Sequence, residues 1–207
     1  YVHLSYIQPK DKTNATLDYL VKGENLALKF NNDYLKFRIY TAYYNYYASN
    51  LPVFNNKLVD ITDKMKSCIR NDRYKPLCLG IYYGNVGSYH LSRAEYKDAR
   101  DNFIKSNDYL SHINSEIAFL PYKYDLALSY FYLNSWKNCL FHAKESFELA
   151  KKVKYLKLMQ YSNDLVKSSL VNLYRYREAI ELYETTNLLK DSINKVERQK
   201  DVDEFKV

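Results

Sequence analysis

The sequence predicts an all-α fold, an α-α superhelix built from antiparallel helix pairs, and three observations support this prediction. Only 4 glycines and 4 prolines occur among the 207 residues, too few for the turns of a β-sandwich or a loop-rich α/β enzyme. Hydrophobic residues make up 47% of the chain, which is enough for a core without disulfides. Apolar residues recur at helical spacing, and the pattern itself returns after about forty residues.

The repeat is clearest between residues 80 and 111. This unit combines large and small apolar residues as a helix hairpin requires, at Val86, Gly87, Tyr96, Ala99 and Phe103. Forty residues later the same places hold Leu126, Ala127, Trp136, Cys139 and Ala143, and a further forty bring Val166, Lys167, Tyr176, Ala179 and Tyr183. A fixed period of this kind indicates units that bury their apolar faces against their neighbours.

These residues resemble the tetratricopeptide repeat (TPR) family over most of the chain. The best match is Val86-Gly87 followed by Tyr96-x-x-Ala99-x-x-x-Phe103, and the later units depart from the family pattern at Lys167 and Ala143. The resemblance implies a solenoid whose first helices line a concave surface. A period of forty residues, compared with 34 in the family, adds roughly 9 Å of helix to each pair.

The pattern predicts one TPR-like array over residues 1–207. Its expected parts are a single capping helix at 12–30, four helix pairs at 34–70, 76–112, 116–154 and 157–187, and a helical extension at 188–207. Phe54, Leu58, Ile61 and Met65 form the expected inward stripe of one second helix. Pro52, Pro76 and Pro121 are expected in turns or in first helical turns, where a missing N–H costs little.

The sequence carries no signal for catalysis, and we expect no enzyme, no cofactor and no metal site. The four histidines and the cysteines at 68, 78 and 139 lack metal-ligand spacing. Motifs for nucleophilic, phosphoryl-transfer, dinucleotide or zinc chemistry are absent. The acid pair Asp98 and Asp101 is expected on a solvated helix face.

Glycines at 80, 84 and 87 form a stripe along one helix, although each costs about 1 kcal/mol relative to alanine in a helix interior. Two explanations are open. The stripe allows two helices to approach closely, or Gly84 allows a ligand to lie against the helix.

The family resemblance implies which residues face the ligand, and it implies a protein or peptide as that ligand. The implied residues are Tyr43, Tyr46, Asn50, Gly84, Asn85, Ser88, Ser92, Tyr124, Phe131, Tyr132, Asp164, Ser168 and Asn172. This wall is aromatic and contains no Lys or Arg, and only Asn85 remains of the carboxylate clamp of chaperone-binding relatives. We therefore expect no specificity for acidic C-terminal peptides. Many of the tyrosines serve equally well to fill space between helices.

The sequence thus predicts a non-catalytic binding module. The tail at 188–193 resembles the segment that leads, in bacterial TPR regulators, to a histidine kinase or helix-turn-helix output domain, so we expect a sensor region of a signalling or transcription-regulatory protein. The start at Tyr1 suggests a fragment of a longer chain. An extracytoplasmic location in a membrane-anchored regulator is favoured over a cytoplasmic one, and no run of 18 apolar residues occurs.

Two alternatives remain. A self-associating scaffold would join through the apolar ends of the array. An RNA-binding helical repeat would use the net charge of +7 and the aromatic side chains, but the absence of Lys and Arg from the implied wall argues against nucleic acid.

Overall fold

Helices joined by short turns make up the part of the chain described by the computed structural model, which covers residues 13–49, 55–70, 72–113, 116–183 and 186–188, with 191 and 195. Eight helices are α1 (Thr13–Lys29), α2 (Asp33–Ala48), α3 (Asn55–Ser67), α4 (Lys75–Ser92), α5 (Tyr96–Ser111), α6 (Glu116–Tyr132), α7 (Trp136–Lys152) and α8 (Leu156–Asn172). A further helical segment, α9, covers 176–183. Because no strand occurs within these ranges, the predicted all-α class is confirmed.

The chain divides into two compact units. Unit 1 comprises residues 1–94 and 104–114, and unit 2 comprises residues 95–103 and 115–207. The first half of α5 therefore belongs to unit 2 and its second half to unit 1. The single continuous array expected from the sequence stays a prediction.

Helices pack in chain order within each unit. In unit 1, α1 contacts α2, α2 contacts α3 and α3 contacts α4, while in unit 2 α6 contacts α7 and α7 contacts α8. The first helix of a pair also contacts the first helix of the next pair, α2 with α4 and α6 with α8. This consecutive packing is that of an α-helical repeat.

The turns between helices show the same period of forty as the side chains. Ala94, Asn134 and Tyr174 each adopt a positive φ, between 56° and 59°. In the second of these turns the N–H of Asn134 donates to the carbonyl of Phe131, and the N–H of Ser135 donates to the carbonyl of Tyr130 at 2.9 Å. This pair of bonds closes a helix end with one left-handed residue. Tyr174 occupies the position despite its bulk, at a cost of roughly 1–2 kcal/mol.

Many of the predicted core positions are buried, but Tyr176 and Tyr183, which the repeat places at equivalent positions, are 53% and 57% exposed. Leu58 and Met65 are fully buried and Ile61 is 6% exposed, while Phe54 lies outside the described residues. In unit 2, Cys139 and Ala143 have no exposed surface. Small residues at these positions let neighbouring helices approach closely, as the sequence indicated.

Gly80 marks a close helix approach in unit 1. A Cβ atom built on Gly80 would lie 2.5 Å from Leu110 Cδ2 and closer still to Leu110 Cγ. The buried Ser106 hydroxyl donates to the Gly80 carbonyl at 2.7 Å. The packing explanation of the glycine stripe is therefore confirmed at Gly80.

The expected position of Pro121 was wrong. Pro76 lies in the first turn of α4, as expected, but Pro121 is an interior residue of α6, and Pro52 lies outside the described residues. Helices α6 and α8 begin forty residues apart, at Glu116 and Leu156. The start of α6 thus follows the repeat, and the helix tolerates the hydrogen bond that proline removes, a loss of about 3 kcal/mol in an ordinary interior.

Within the described ranges, none of the helices combines the length and the hydrophobicity that a membrane-spanning segment needs.

Candidate ligand-binding face

In unit 2, the implied residue Tyr124 lies between α6 and α8. The ring of Tyr124 on α6 lies 6.2 Å from the ring of Tyr161 on α8. Burial raises the pKa of Tyr124, and the charges of Asp125 and Asp164 raise it further. The phenol therefore remains protonated at neutral pH and can donate a hydrogen bond.

The C-terminal end of α6 carries an aromatic edge. Tyr132 is 47% exposed and stacks on Tyr96, with ring centroids 4.5 Å apart and planes 13° from parallel. Phe131 meets Trp136 edge to face at 5.4 Å. Aromatic pairs of this kind contribute about 0.5–1.5 kcal/mol beyond their burial. These contacts favour the observed orientations of the rings.

A cation lies beside the implied residue Asp164. The Lys167 ammonium donates to Asp164 at 3.1 Å, and both side chains are partly exposed. They lie three residues apart on α8, so one turn of helix brings them together. Asn172, which is exposed, donates its amide to the carbonyl of the half-buried Ser168 at 2.8 Å. We name the combined surface of Tyr124, Phe131, Tyr132, Tyr161, Asp164, Lys167 and Ser168 the α6/α8 face.

Three implied residues of unit 1 are buried and do not offer their surface to a ligand. Tyr43 is 5% exposed, Asn85 is 2% exposed, and Gly84 is also buried. The Tyr44 hydroxyl donates to the Asn85 carbonyl at 2.6 Å, and the Asn85 amide lies 3.8 Å from the Met65 sulfur. The physical reason is that residues 43, 84 and 85 help fill the space between helices of unit 1.

The other implied residues of unit 1 are more accessible. Tyr46 is half-buried and meets Tyr47 edge to face at 5.3 Å, and Ser88 is half-buried. Ser92 is exposed, and its hydroxyl donates to the Tyr89 carbonyl at 2.7 Å. Asn50 lies outside the described residues. Their role as ligand contacts stays a prediction.

Sequence reasoning missed Tyr161 and Lys167 because the family positions do not select them. Both lie three residues from Asp164, one on each side, and this spacing was the available signal.

A basic and aromatic cluster in unit 1 was also missed. The rings of Tyr34 and Tyr74 stack 4.0 Å apart, with Arg38 near the first ring and Arg73 over the second. Each guanidinium also donates to the hydroxyl of the tyrosine beside it. Because these groups already bind one another, the cluster joins α2 to the start of α4 and gives no specific support to RNA binding.

In the described part of the chain, no group of three or more His, Cys, Asp or Glu residues is placed to hold a metal ion. A search with protein-family models found none that matches this chain, and a search of curated proteins found no match either.

Proposed function

We propose that the chain is a non-catalytic, protein- or peptide-binding module of the TPR type, in which the α6/α8 face receives the ligand. The observation that carries this proposal is the set of prearranged aromatic side chains beside the Asp164–Lys167 pair. Rigid aromatic groups with a few polar partners are characteristic of protein recognition surfaces.

The packing within unit 2 supports placing the ligand on the first helices. Helices α6 and α8 contact each other directly. A cleft, by contrast, opens between α7 and α9 on the side of the second helices. A TPR-type array would curve with α6 and α8 on its inner wall. A curved inner wall surrounds a bound segment on more than one side and buries more of its surface.

The chemistry of the face suggests the type of ligand. The aromatic rings favour apolar or aromatic side chains, and Tyr124 can donate to a peptide carbonyl. Asp164 and Lys167 present one charge of each sign, so the face has no net preference for acidic peptides. From the resemblance of the tail at 188–193, we propose that the chain is the sensor or interaction region of a larger bacterial regulator.

A peptide library displayed on phage tests this function. We expect the chain to select peptides with aromatic or apolar residues, and Tyr132→Ala and Asp164→Asn each to weaken the selected peptides by about tenfold or more, as for contacts at a hot spot. Tyr183→Ala, which removes an exposed tyrosine of α9 outside this face, is the matched control and should bind normally. Selected peptides that bind all three variants equally would refute the assignment of the face.

Self-association is a second candidate because α9 exposes an apolar stripe. Tyr176, Ile180 and Tyr183 are between 53% and 71% exposed at i, i+4, i+7 spacing. Leu140 and Ala143 of α7, forty residues earlier than the last two, are buried. Light scattering over a dilution series should then show a larger mass at high concentration, and Ile180→Lys should abolish it.

A further inference from the structure

A cleft of about 470 Å³ lies in unit 2 between α7 and α9, with α8 as its floor. Its apolar lining comes from Phe147 on α7, Val166 and Leu170 on α8, and Leu182 on α9. The volume falls within the range of about 300–1,000 Å³ that is usual for ligand clefts. It holds a few side chains and is too small for a whole helix.

The charged residues that line the cleft are mostly acidic, although the protein as a whole is basic. Glu148, Glu178 and Glu181 line it together with a single cation, Lys144, whereas the chain as a whole carries +7. The acidic lining is therefore a local property and does not follow from composition.

Two of the three carboxylates are available to a ligand. Both oxygens of Glu178 accept from Arg175, at 2.6 and 2.7 Å. Glu181 accepts at 3.3 Å from Arg177, whose side chain is 92% exposed, and an exposed pair of this kind holds its partners weakly. Glu148 forms no ion pair with any residue in the described ranges. The unpaired Glu148 and the weakly paired Glu181 thus lie on opposite walls, the first on α7 and the second on α9.

We propose that this cleft is a second binding site, separate from the α6/α8 face, for a partner-protein segment that places one or two apolar side chains between Lys or Arg residues. The apolar side chains of the segment enter between α7 and α9, where contact with Phe147, Leu170 and Leu182 removes them from water. The flanking cations reach Glu148 and Glu181, where charge complementarity fixes the orientation of the segment. A neutral or acidic segment lacks the second interaction.

Fluorescence anisotropy with labelled synthetic peptides tests the proposal on the full chain. The probe peptide has two leucines flanked by arginines, and the reference peptides replace the leucines by serines or the arginines by glutamates. The test variant carries Glu148→Gln and Glu181→Gln. The matched control carries Asp98→Asn and Asp101→Asn, which remove the same charge from exposed positions of α5 in the same unit.

We expect the leucine and arginine peptide to bind, and the test variant to weaken it by about tenfold or more at low salt. The control variant and wild type should bind it equally, and the reference peptides should bind poorly. A photo-crosslinker in place of one leucine should label Phe147 or Leu182, and circular dichroism should show equal helix content in all variants.

Three results would overturn the proposal. Equal weakening by both variants would show nonspecific charge attraction, and equal binding of the serine peptide would show that the apolar floor is not used. Dimers that form in light scattering and exclude the peptide would show that the occupant is a second copy of this chain.

Discussion

Replacing Gly80 by alanine should destabilise the protein, although helix propensity alone predicts the opposite. Gly80 lies inside α4 with an ordinary helical φ, so alanine suits the backbone and would gain about 1 kcal/mol from propensity. The added methyl, however, would overlap Leu110, which is 2% exposed.

The overlap is costly because neither partner can move freely. The clash involves Leu110 Cγ, which is near the backbone and not at the tip of the side chain. The hydrogen bond from Ser106 to the Gly80 carbonyl holds α4 and α5 together. Overpacking costs about 1–3 kcal/mol, so after subtracting the propensity gain we expect a net loss of up to about 2 kcal/mol.

Gly23→Ala is the matched control. A Cβ there would lie 2.7 Å from Ile39 Cδ1, the tip of a half-buried and flexible side chain, and the next atom is 3.7 Å away. Ile39 can rotate its end group, so we expect Gly23→Ala to be neutral or to stabilise by up to about 1 kcal/mol.

Urea denaturation followed by circular dichroism measures both effects. Leu110→Ala provides the second half of a double-mutant cycle, because it removes the atoms that the new methyl would meet. In that background Gly80→Ala should stabilise. If Gly80→Ala raises the midpoint in the wild-type background, or if its effect is the same in both backgrounds, the steric argument is wrong.

The remaining predictions concern hydrogen bonds and protonation. Ser106→Ala should cost about 0.5–1.5 kcal/mol in urea denaturation, because it removes the buried hydrogen bond from the Ser106 hydroxyl to the Gly80 carbonyl. Burial, together with the charge of Glu24, raises the pKa of Tyr40 to about 12. Because the folded state holds the phenol proton of Tyr40 more tightly than the unfolded state, the free energy of unfolding should fall as pH rises from about 10 to about 12. Tyr40→Phe should flatten this dependence on pH. Burial lowers the pKa of His142, although the carboxylate of Glu145 opposes this shift. The contribution of neutral His142 to the free energy of unfolding is therefore fully present above the usual histidine pKa, and it should decline as pH falls below about 6.5. His142→Gln should remove that decline in thermal unfolding measured at successive pH values, and an unchanged slope would contradict the assignment.

The sequence determined the helices and their period, because these depend on local spacing. The spacing of Trp136, Cys139 and Ala143 along the chain predicts helix α7, and in the structure Cys139 and Ala143 are completely buried. The period of forty returns in the backbone of the turns at Ala94, Asn134 and Tyr174. Periodicity of this kind needs no knowledge of distant neighbours.

The candidate sites were only partly predictable, because the accessibility of a side chain depends on the helices packed around it. Tyr43 and Tyr132 are the same residue type at implied ligand positions, yet Tyr43 is 5% exposed and Tyr132 is 47% exposed. Tertiary structure decided this difference. The pairing of Lys167 with Asp164, by contrast, follows from their i, i+3 spacing on α8.

The cleft between α7 and α9 also could not be predicted from the sequence, although its helices could. Glu148, Phe147 and Leu182 carry no motif, and more than thirty residues separate the walls. The order of residues thus set each helix and its apolar side, since both follow from spacing along one segment. Only the packing of separate helices decided which carboxylates and apolar groups line the same cleft. That outcome depends on distances between segments, which local spacing does not encode.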